Sequence, residues 1–420
     1  MRRTRSIQIL ATLLPVLLLA ASCSSGSGES SAATAAEDEE TTETTETTAA
    51  GITATGEPIV IGFMNNEGGA FSVPELRVGN EVATDYVNER LGGVNGRPFK
   101  VERCATDGTP ESAIDCVNQF IERGVVAVLE GTDLGADAGL PLLKDAGIPM
   151  LGHVQFGAGR MFDANAFYFG AAAIAYGVAA LRYYADEGVD TIAWFLPDEA
   201  TSHAFTDGFL LPAAEAIGVK YKTVYYDAAN PNWAVLAATA VSEGVDASGS
   251  VAATDAQCAE MVSALRDAGY QGRVFAASCF NLVRDIGDKA IGVDTDADHW
   301  ITSDIESAPA AKQDQLREYV RVMEDAGHRD LVHGNALITF ADMLTLRDVL
   351  STIEGDIDGA AVTSALMATK DLDSFVGPSI TCDHSVMAGN SACHAGLLFF
   401  QVQDDLTIKT MTPDFVLGVI

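Results

Sequence analysis

Pro58-Ile59-Val60-Ile61-Gly62-Phe63 is a short β-branched run, and residues 74–91 after it carry apolar side chains at helical spacing. Val78, Val82 and Tyr86 share a helix face with Ala83, Val87 and Leu91, while Glu81, Asp85, Asn88 and Glu89 point away from it. Gly92-Gly93 supplies the stop. The same alternation repeats outward. A strand is predicted at Phe99-Val101-Cys104, a helix over 110–123, and a strand at Val125-Val126-Ala127-Val128-Leu129. A helix over 136–146 then leads into Ile148-Pro149-Met150-Leu151. Strands that alternate with helices of this length form a parallel sheet with helices on both faces.

A second series follows. Helices are predicted over 174–187, 202–217, 232–242 and 256–268, with strands at 191–195, 221–226, 248–252 and 273–277. Residues 307–372 read as mostly helical, and a last strand is predicted at 397–402. Two doubly wound series in succession mean two α/β lobes. The chain from Glu57 onward is also too long for one ordinary core.

The N-terminal residues read as processing signals. Arg2, Arg3 and Arg5 precede an apolar run at 7–19, and Ala20-Ala21-Ser22-Cys23 follows. That run is too short to span a bilayer and reads as a secretory signal over 1–22. Small residues before a cysteine are similar to the lipobox of bacterial lipoproteins, which makes Cys23 the expected lipidation site. Residues 23–56 then form an acidic Ser/Thr/Glu tether with little apolar surface to bury. Acyl chains at about 0.8 kcal/mol per buried methylene would hold such a protein at the membrane by its anchor alone. An extracytoplasmic, lipid-anchored protein is expected. The formal net charge of −34 argues against nucleic acid and anionic membrane surfaces as partners.

Seven cysteines less Cys23 leave an even set, as an oxidising compartment favours. Six cysteines allow 15 pairings. The local pairs are Cys104 with Cys116, Cys258 with Cys279, and Cys382 with Cys393. Helical phase favours the first two, because Cys116 lies on a stripe with Ala113, Val117 and Phe120, and Cys258 with Met261, Val262 and Leu265. A metal site is the rival reading, but no CxxC or HxxxH spacing occurs.

Four stretches carry a resemblance. They are Ile61-Gly62-Phe63-Met64-Asn65-Asn66-Glu67-Gly68, Asn88-Glu89-Arg90-Leu91-Gly92-Gly93-Val94-Asn95-Gly96-Arg97-Pro98, Lys144-Asp145-Ala146-Gly147-Ile148-Pro149, and Ala264-Leu265-Arg266-Asp267-Ala268-Gly269-Tyr270. In this order along two βα series they resemble the branched-chain amino acid-binding family, the type I solute-binding proteins of ABC importers. The resemblance implies two Rossmann-like lobes of the type I periplasmic-binding-protein fold, joined by a three-segment hinge. The first lobe would comprise 57–172 with 303–385, and the second 173–302 with 386–420. It also implies a small-molecule ligand trapped in the cleft, a permease partner, a monomer, and neither cofactor nor metal.

The ligand would lie beyond the carboxyl ends of the strands. Candidates in the first lobe are Asn66, Phe71 and Ser72, then Thr132 and Asp133, then Val154, Gln155 and Phe156. Thr132 stands where family members hold an amino-acid carboxylate, and Gln155 and Phe156 replace smaller residues usual there. Candidates in the second lobe are Ser202 and His203, where the family's aromatic turn is missing, then Thr254 and Asp255, then Phe280. Asp255 also suits a helix cap. The family's acidic residue for the ligand ammonium is replaced by Cys279. Asp133 carries the wrong charge for a carboxylate ligand, with no arginine near it in the motif. Two like charges ~4 Å apart at an effective dielectric of ~20 repel by about 4 kcal/mol, roughly a thousandfold in affinity. Asp133 would have to turn away, hold a proton or be bridged by a cation. Together Asp133 and Asp255 suit a neutral hydrogen-bonding or cationic ligand, such as an amide, a polyamine-like compound or a polyol.

Catalysis finds no support. Nucleophile-elbow, P-loop and zinc motifs are missing, Gly-x-Gly-x-x-Gly does not follow the first strand, and the histidines are scattered. The alternative function is a ligand-binding sensor acting through a signalling partner.

Overall fold

The computed structural model describes residues 51–69, 72–251 and 254–419. The expected signal segment, the lipid anchor at Cys23 and most of the tether lie outside the described residues, as does Phe71.

The first lobe opens with β1 (Ile59–Asn66), α1 (Pro74–Glu89), β2 (Phe99–Thr106), α2 (Pro110–Arg123) and β3 (Ala127–Glu130). It continues through α3 (Leu140–Asp145), β4 (Met150–Gly152), α4 (Ala158–Met161) and β5 (Ala166–Ala171). Local chemistry fixes these boundaries. The Thr109 hydroxyl caps α2 by accepting the Ser112 N–H, Pro110 needs no donor at that end, and Gly124 closes the helix in the left-handed region at φ 67°. Residues 136–146 do not form one helix. A short 3-10 turn at Ala136–Ala138 precedes α3, and Gly139 and Pro141 fall at the break.

The chain then builds the second lobe. Its first half is α5 (Ala173–Asp186), β6 (Thr191–Pro197), α6 (Ala200–Phe205), α7 (Leu211–Ile217), β7 (Lys220–Tyr226) and α8 (Trp233–Glu243). Its second half is β8 (Ala247–Ser250), α9 (Asp255–Asp267), β9 (Arg273–Ala276), α10 (Leu282–Ile286) and β10 (Val293–Ala297). The predicted helix over 202–217 is interrupted by a wide turn at Thr206–Leu210. Pro212 has no N–H to donate four residues back, so the helix loosens before it.

Three helices return to the first lobe: α11 (Ala310–Asp325), α12 (Ala336–Leu350) and α13 (Gly359–Ala368). The chain ends with β11 (Leu372–Asp373), β12 (Ser379–Ile380), β13 (Ala392–His394), β14 (Gly396–Val402), β15 (Ile408–Thr410) and β16 (Val416–Leu417).

The first sheet has the order β13-β5-β4-β3-β1-β2, and its six strands pair in parallel. The second runs β15-β14-β10-β9-β8-β6-β7, with β16 beside β14. Its β7 to β10 core is parallel, and β14 adds an antiparallel edge. Two Rossmann-like lobes joined by a three-segment hinge result. The chain crosses after β5, after β10, and at Ala395 between β13 and β14. Ala392–His394 thus belongs to the first sheet, which continues past residue 385, where the sequence reading ended it.

Strands β5, β10 and β13 and the short β11, β12, β15 and β16 lie outside the elements expected from sequence. The run Val293-Asp294-Thr295-Asp296-Ala297 reads as polar, yet Asp294 and Asp296 are fully buried. Arg273 contacts Asp294 through Nε and Nη2 at 2.9 and 2.8 Å, and Tyr184 donates to it at 2.8 Å. Partners from other elements make this strand possible, and no local pattern reveals them.

The three disulfides join the local pairs Cys104–Cys116, Cys258–Cys279 and Cys382–Cys393. The first ties α2 to β2. Changing both its cysteines to serine should lower unfolding free energy by about 2–3 kcal/mol, because the open loop regains entropy in the unfolded chain. Urea titration measures this, and an unchanged midpoint would refute it.

Candidate functional site

Strand polarity decides where the candidates gather. The first crossing leaves the carboxyl end of β5, and α5 begins at once. The carboxyl edge of the first sheet therefore faces the lobe boundary. Helix α5 runs away from that boundary and β6 returns, so β6, β8 and β9 also end there. In both sheets the strand order reverses beside the first strand, between β1 and β3 and between β6 and β8. Such switch points open a crevice at the strand ends.

The first switch point joins three candidates. The Asn66 N–H donates to the Thr132 carbonyl at 2.8 Å, and the Thr106 hydroxyl donates to Asn66 Oδ1 at 3.3 Å. Asn65, not singled out from sequence, accepts the Thr132 N–H at 3.2 Å and donates to the Val73 carbonyl at 2.8 Å. A Cβ on Gly131 would stand 2.6 Å from Asn65 Oδ1, so the loop needs glycine there.

Asp133 is fully buried, and its Oδ1 accepts the Gly135 N–H at 2.6 Å. It turns inward as a loop-forming group, and burial pushes its pKa up. An arginine does reach it, from 27 residues on in α4. Arg160 Nη1 donates to the Asp133 carbonyl at 2.7 Å and to Glu130 Oε1 at 2.5 Å. Glu130 also accepts from Tyr168 at 2.7 Å and from the Asp133 N–H at 2.9 Å. Burial outweighs Arg160 and raises the Glu130 pKa. This ionic knot under the loop went unseen in the sequence because α4 is too short to announce itself.

The loop after β4 splits in role. Val154 is half-buried and Phe156 is 56 % exposed. Gln155 is fully buried and spends its amide inside the fold. Its nitrogen donates to Asn390 at 3.1 Å and Ser391 at 3.2 Å, and its oxygen accepts the Ala173 N–H at the start of α5. Ser72 is exposed ahead of α1.

In the second lobe, Ser202 and His203 sit on α6. His203 is exposed, stands 2.8 Å from Asp198 and stacks on Tyr225 at 4.0 Å. Thr254, not Asp255, is the α9 cap: its hydroxyl accepts the Gln257 N–H, and Gln257 returns the bond to the Thr254 N–H. Asp255 is the first helical residue, and its side chain is outside the described set. Phe280 is half-buried and meets Phe400 edge-on at 6.1 Å. Next to it Ser278 adopts φ 55° and donates its N–H to Asp296 at 2.8 Å. Burial pushes Asp296 up to about 7. The candidates thus form two groups at strand ends, with Gln155 taken up by the hinge.

A family model described as periplasmic binding protein matches residues 58–405. The chain belongs to the periplasmic binding protein family. This is the assignment to which the four sequence stretches pointed, and the family is one of ligand binders. Solved structures of similar fold include an extracellular ligand-binding receptor from Verminephrobacter eiseniae, with TM-score 0.71 and 16 % identity over 84 % of this chain and 99 % of that one. A substrate-binding protein of an ABC transporter from Aeropyrum pernix gives TM-score 0.71 and 16 % identity over 86 % and 96 %. A leucine-binding protein from Thermotoga maritima gives TM-score 0.68 and 14 % identity over 84 % and 98 %. At these identities the likeness is one of fold. No curated protein matches in sequence. Among the described residues no helix is long and apolar enough to cross a membrane.

Proposed function

We propose that this periplasmic binding protein is the extracytoplasmic, lipid-anchored receptor of an ABC importer. It captures a small polar organic solute between its lobes and delivers it to the permease. The observation that carries this reading is the placement of hydrogen-bonding groups at the switch points of both sheets, on the edges that face the lobe boundary. In the first lobe Asn66, Ser72, Thr132 and the main chain around Val154 would hold the solute, with Phe156 covering it. In the second lobe Ser202, His203, Thr254 and Phe280 would close on it. Asp133 would shape the loop from within. With its carboxylate turned inward, repulsion of an anionic group weakens, and amino acids join amides and polyols as candidate ligands. The protein acts by closure about the hinge and performs no chemistry of its own.

Thermal-shift screening against amino acids, amides, polyamines, polyols and aromatic acids tests this. A ligand at about 100 times its Kd should stabilise the protein by about 2.7 kcal/mol. The same ligand should reduce the radius of gyration in solution scattering. Asn66→Ala should weaken binding about tenfold, one lost hydrogen bond. A screen with no stabilising compound, or binding without any change in scattering, would count against the reading.

A further inference from the structure

The hinge holds a cluster unrelated to the strand-end groups. His153 leaves β4, and Asp298 and His299 form the second crossing directly after β10. His153 Nε2 and His299 Nδ1 converge on one oxygen, Asp298 Oδ1, at 3.0 and 2.9 Å. The donor atoms of these three residues all lie within 4.8 Å of one another. Behind them, His153 Nδ1 meets Asp342 of α12 at 2.9 Å. The other Asp298 oxygen accepts the Ala171 N–H of the first crossing at 2.7 Å. A cavity of about 10 Å3 adjoins the cluster, with Phe169, Leu337, Ala341 and His394 in its wall.

We propose that His153, Asp298 and His299 form a binding site for a divalent transition metal of the zinc class, which pins the second crossing to the first lobe. Two imidazoles and a carboxylate suit such an ion better than calcium or magnesium, which prefer all-oxygen sets. Ligand atoms about 2.0–2.2 Å from a tetrahedral zinc stand roughly 3.3 Å apart. The two nitrogen–oxygen separations, 3.0 and 2.9 Å, need only a few tenths of an ångström of spreading, and the third pair lies within 4.8 Å. The outer partner is also in place: a metal-bound histidine usually gives its other N–H to a carboxylate, and Asp342 Oδ1 stands 2.9 Å from His153 Nδ1 to accept it. Asp298 and Asp342 are 2 % and 1 % exposed, so the donor set is shielded from solvent. The cavity has room for one water as a fourth ligand. The packing leaves little slack, since a Cβ on Gly170 would stand 2.5 Å from Asp298 Oδ2 and 2.6 Å from the His153 carbonyl. The site escaped sequence motifs because His153 and Asp298 are 145 positions apart.

The proposal does not depend on which solute the cleft takes. Its test uses the full mature chain, stripped with a chelator and titrated with zinc against a chromophoric competitor. One zinc per chain at micromolar Kd or tighter is expected. Visible d–d bands should appear when cobalt(II) is added instead. His299→Gln, the most solvent-accessible ligand change, should weaken zinc at least a hundredfold, and Asp342→Asn about ten- to a hundredfold. His203→Gln, at the exposed pair with Asp198, should leave zinc binding unchanged. Circular dichroism confirms that each variant folds. Zinc affinity weaker than millimolar in the folded wild type would overturn the site. So would zinc binding that persists in His299→Gln or is lost in His203→Gln.

Discussion

Arg160→Met is expected to destabilise the protein by about 3–5 kcal/mol at neutral pH, the cost of leaving a buried carboxylate without its cation. Arg160 is 0 % exposed and Glu130 1 % in their side chains, and the two meet at 2.5 Å. Asp137 lies 3.0 Å from Arg160 Nε as a second anion. Without the guanidinium, Glu130 keeps only the Tyr168 hydroxyl and the Asp133 N–H. Its pKa, already raised by burial, must rise further. The sign follows: a native carboxyl with a raised pKa holds its proton while the unfolded one releases it. Stability is then lost as pH rises from the ordinary carboxylate range through the native value. The defect should be largest in neutral and alkaline buffer and shrink toward pH 4. Glu130→Gln in the same chain should recover part of it. Urea titrations of the single and double variants at pH 5 and pH 8 measure all three effects. A single-variant loss below about 1 kcal/mol at pH 8 would show that the ion pair does not hold this loop. Because Arg160 also grips the Asp133 carbonyl, any solute held by Thr132 should bind more weakly in the variant.

Gly249→Ala should be the most damaging single-methyl change in the second lobe, costing more than about 4 kcal/mol or preventing folding. Gly249 lies in β8 at φ 153°, paired with Trp194 of β6 and Phe275 of β9. A Cβ there would stand 1.9 Å from the Phe275 carbonyl oxygen and 2.7 Å from its carbon. Both are backbone atoms of a neighbouring strand, so relief means breaking the ladder. Gly244→Ala is the control. Gly244 ends α8 at φ 61°, and a Cβ there meets nothing within 4 Å. It should cost only the strain of the left-handed region, about 1 kcal/mol. Melting temperature and soluble yield of the two variants decide the matter. Equal losses in both would mean that the β8–β9 contact yields more easily than the geometry says.

What the sequence determined by itself was periodicity and punctuation. The β-branched runs, the helical stripes and the Gly92-Gly93 stop define most elements, their alternation and hence the α/β class. The cysteine spacing and helical phase pointed to the three local disulfides. These are properties of neighbours along the chain, and the physics that sets them acts over a few residues. Tertiary structure decided the rest. Asp294 lies in a buried strand because Arg273 and Tyr184 satisfy it from elsewhere, and Ser278 donates to Asp296 beside it. Gln155 serves the hinge because Asn390 and Ser391 arrive beside it. Asp133 gains an arginine because α4 folds under its loop. The hinge histidines meet one carboxylate because the second crossing passes β4. Burial of a polar group is decided by whether a distant partner compensates for its lost water, and no local pattern carries that information.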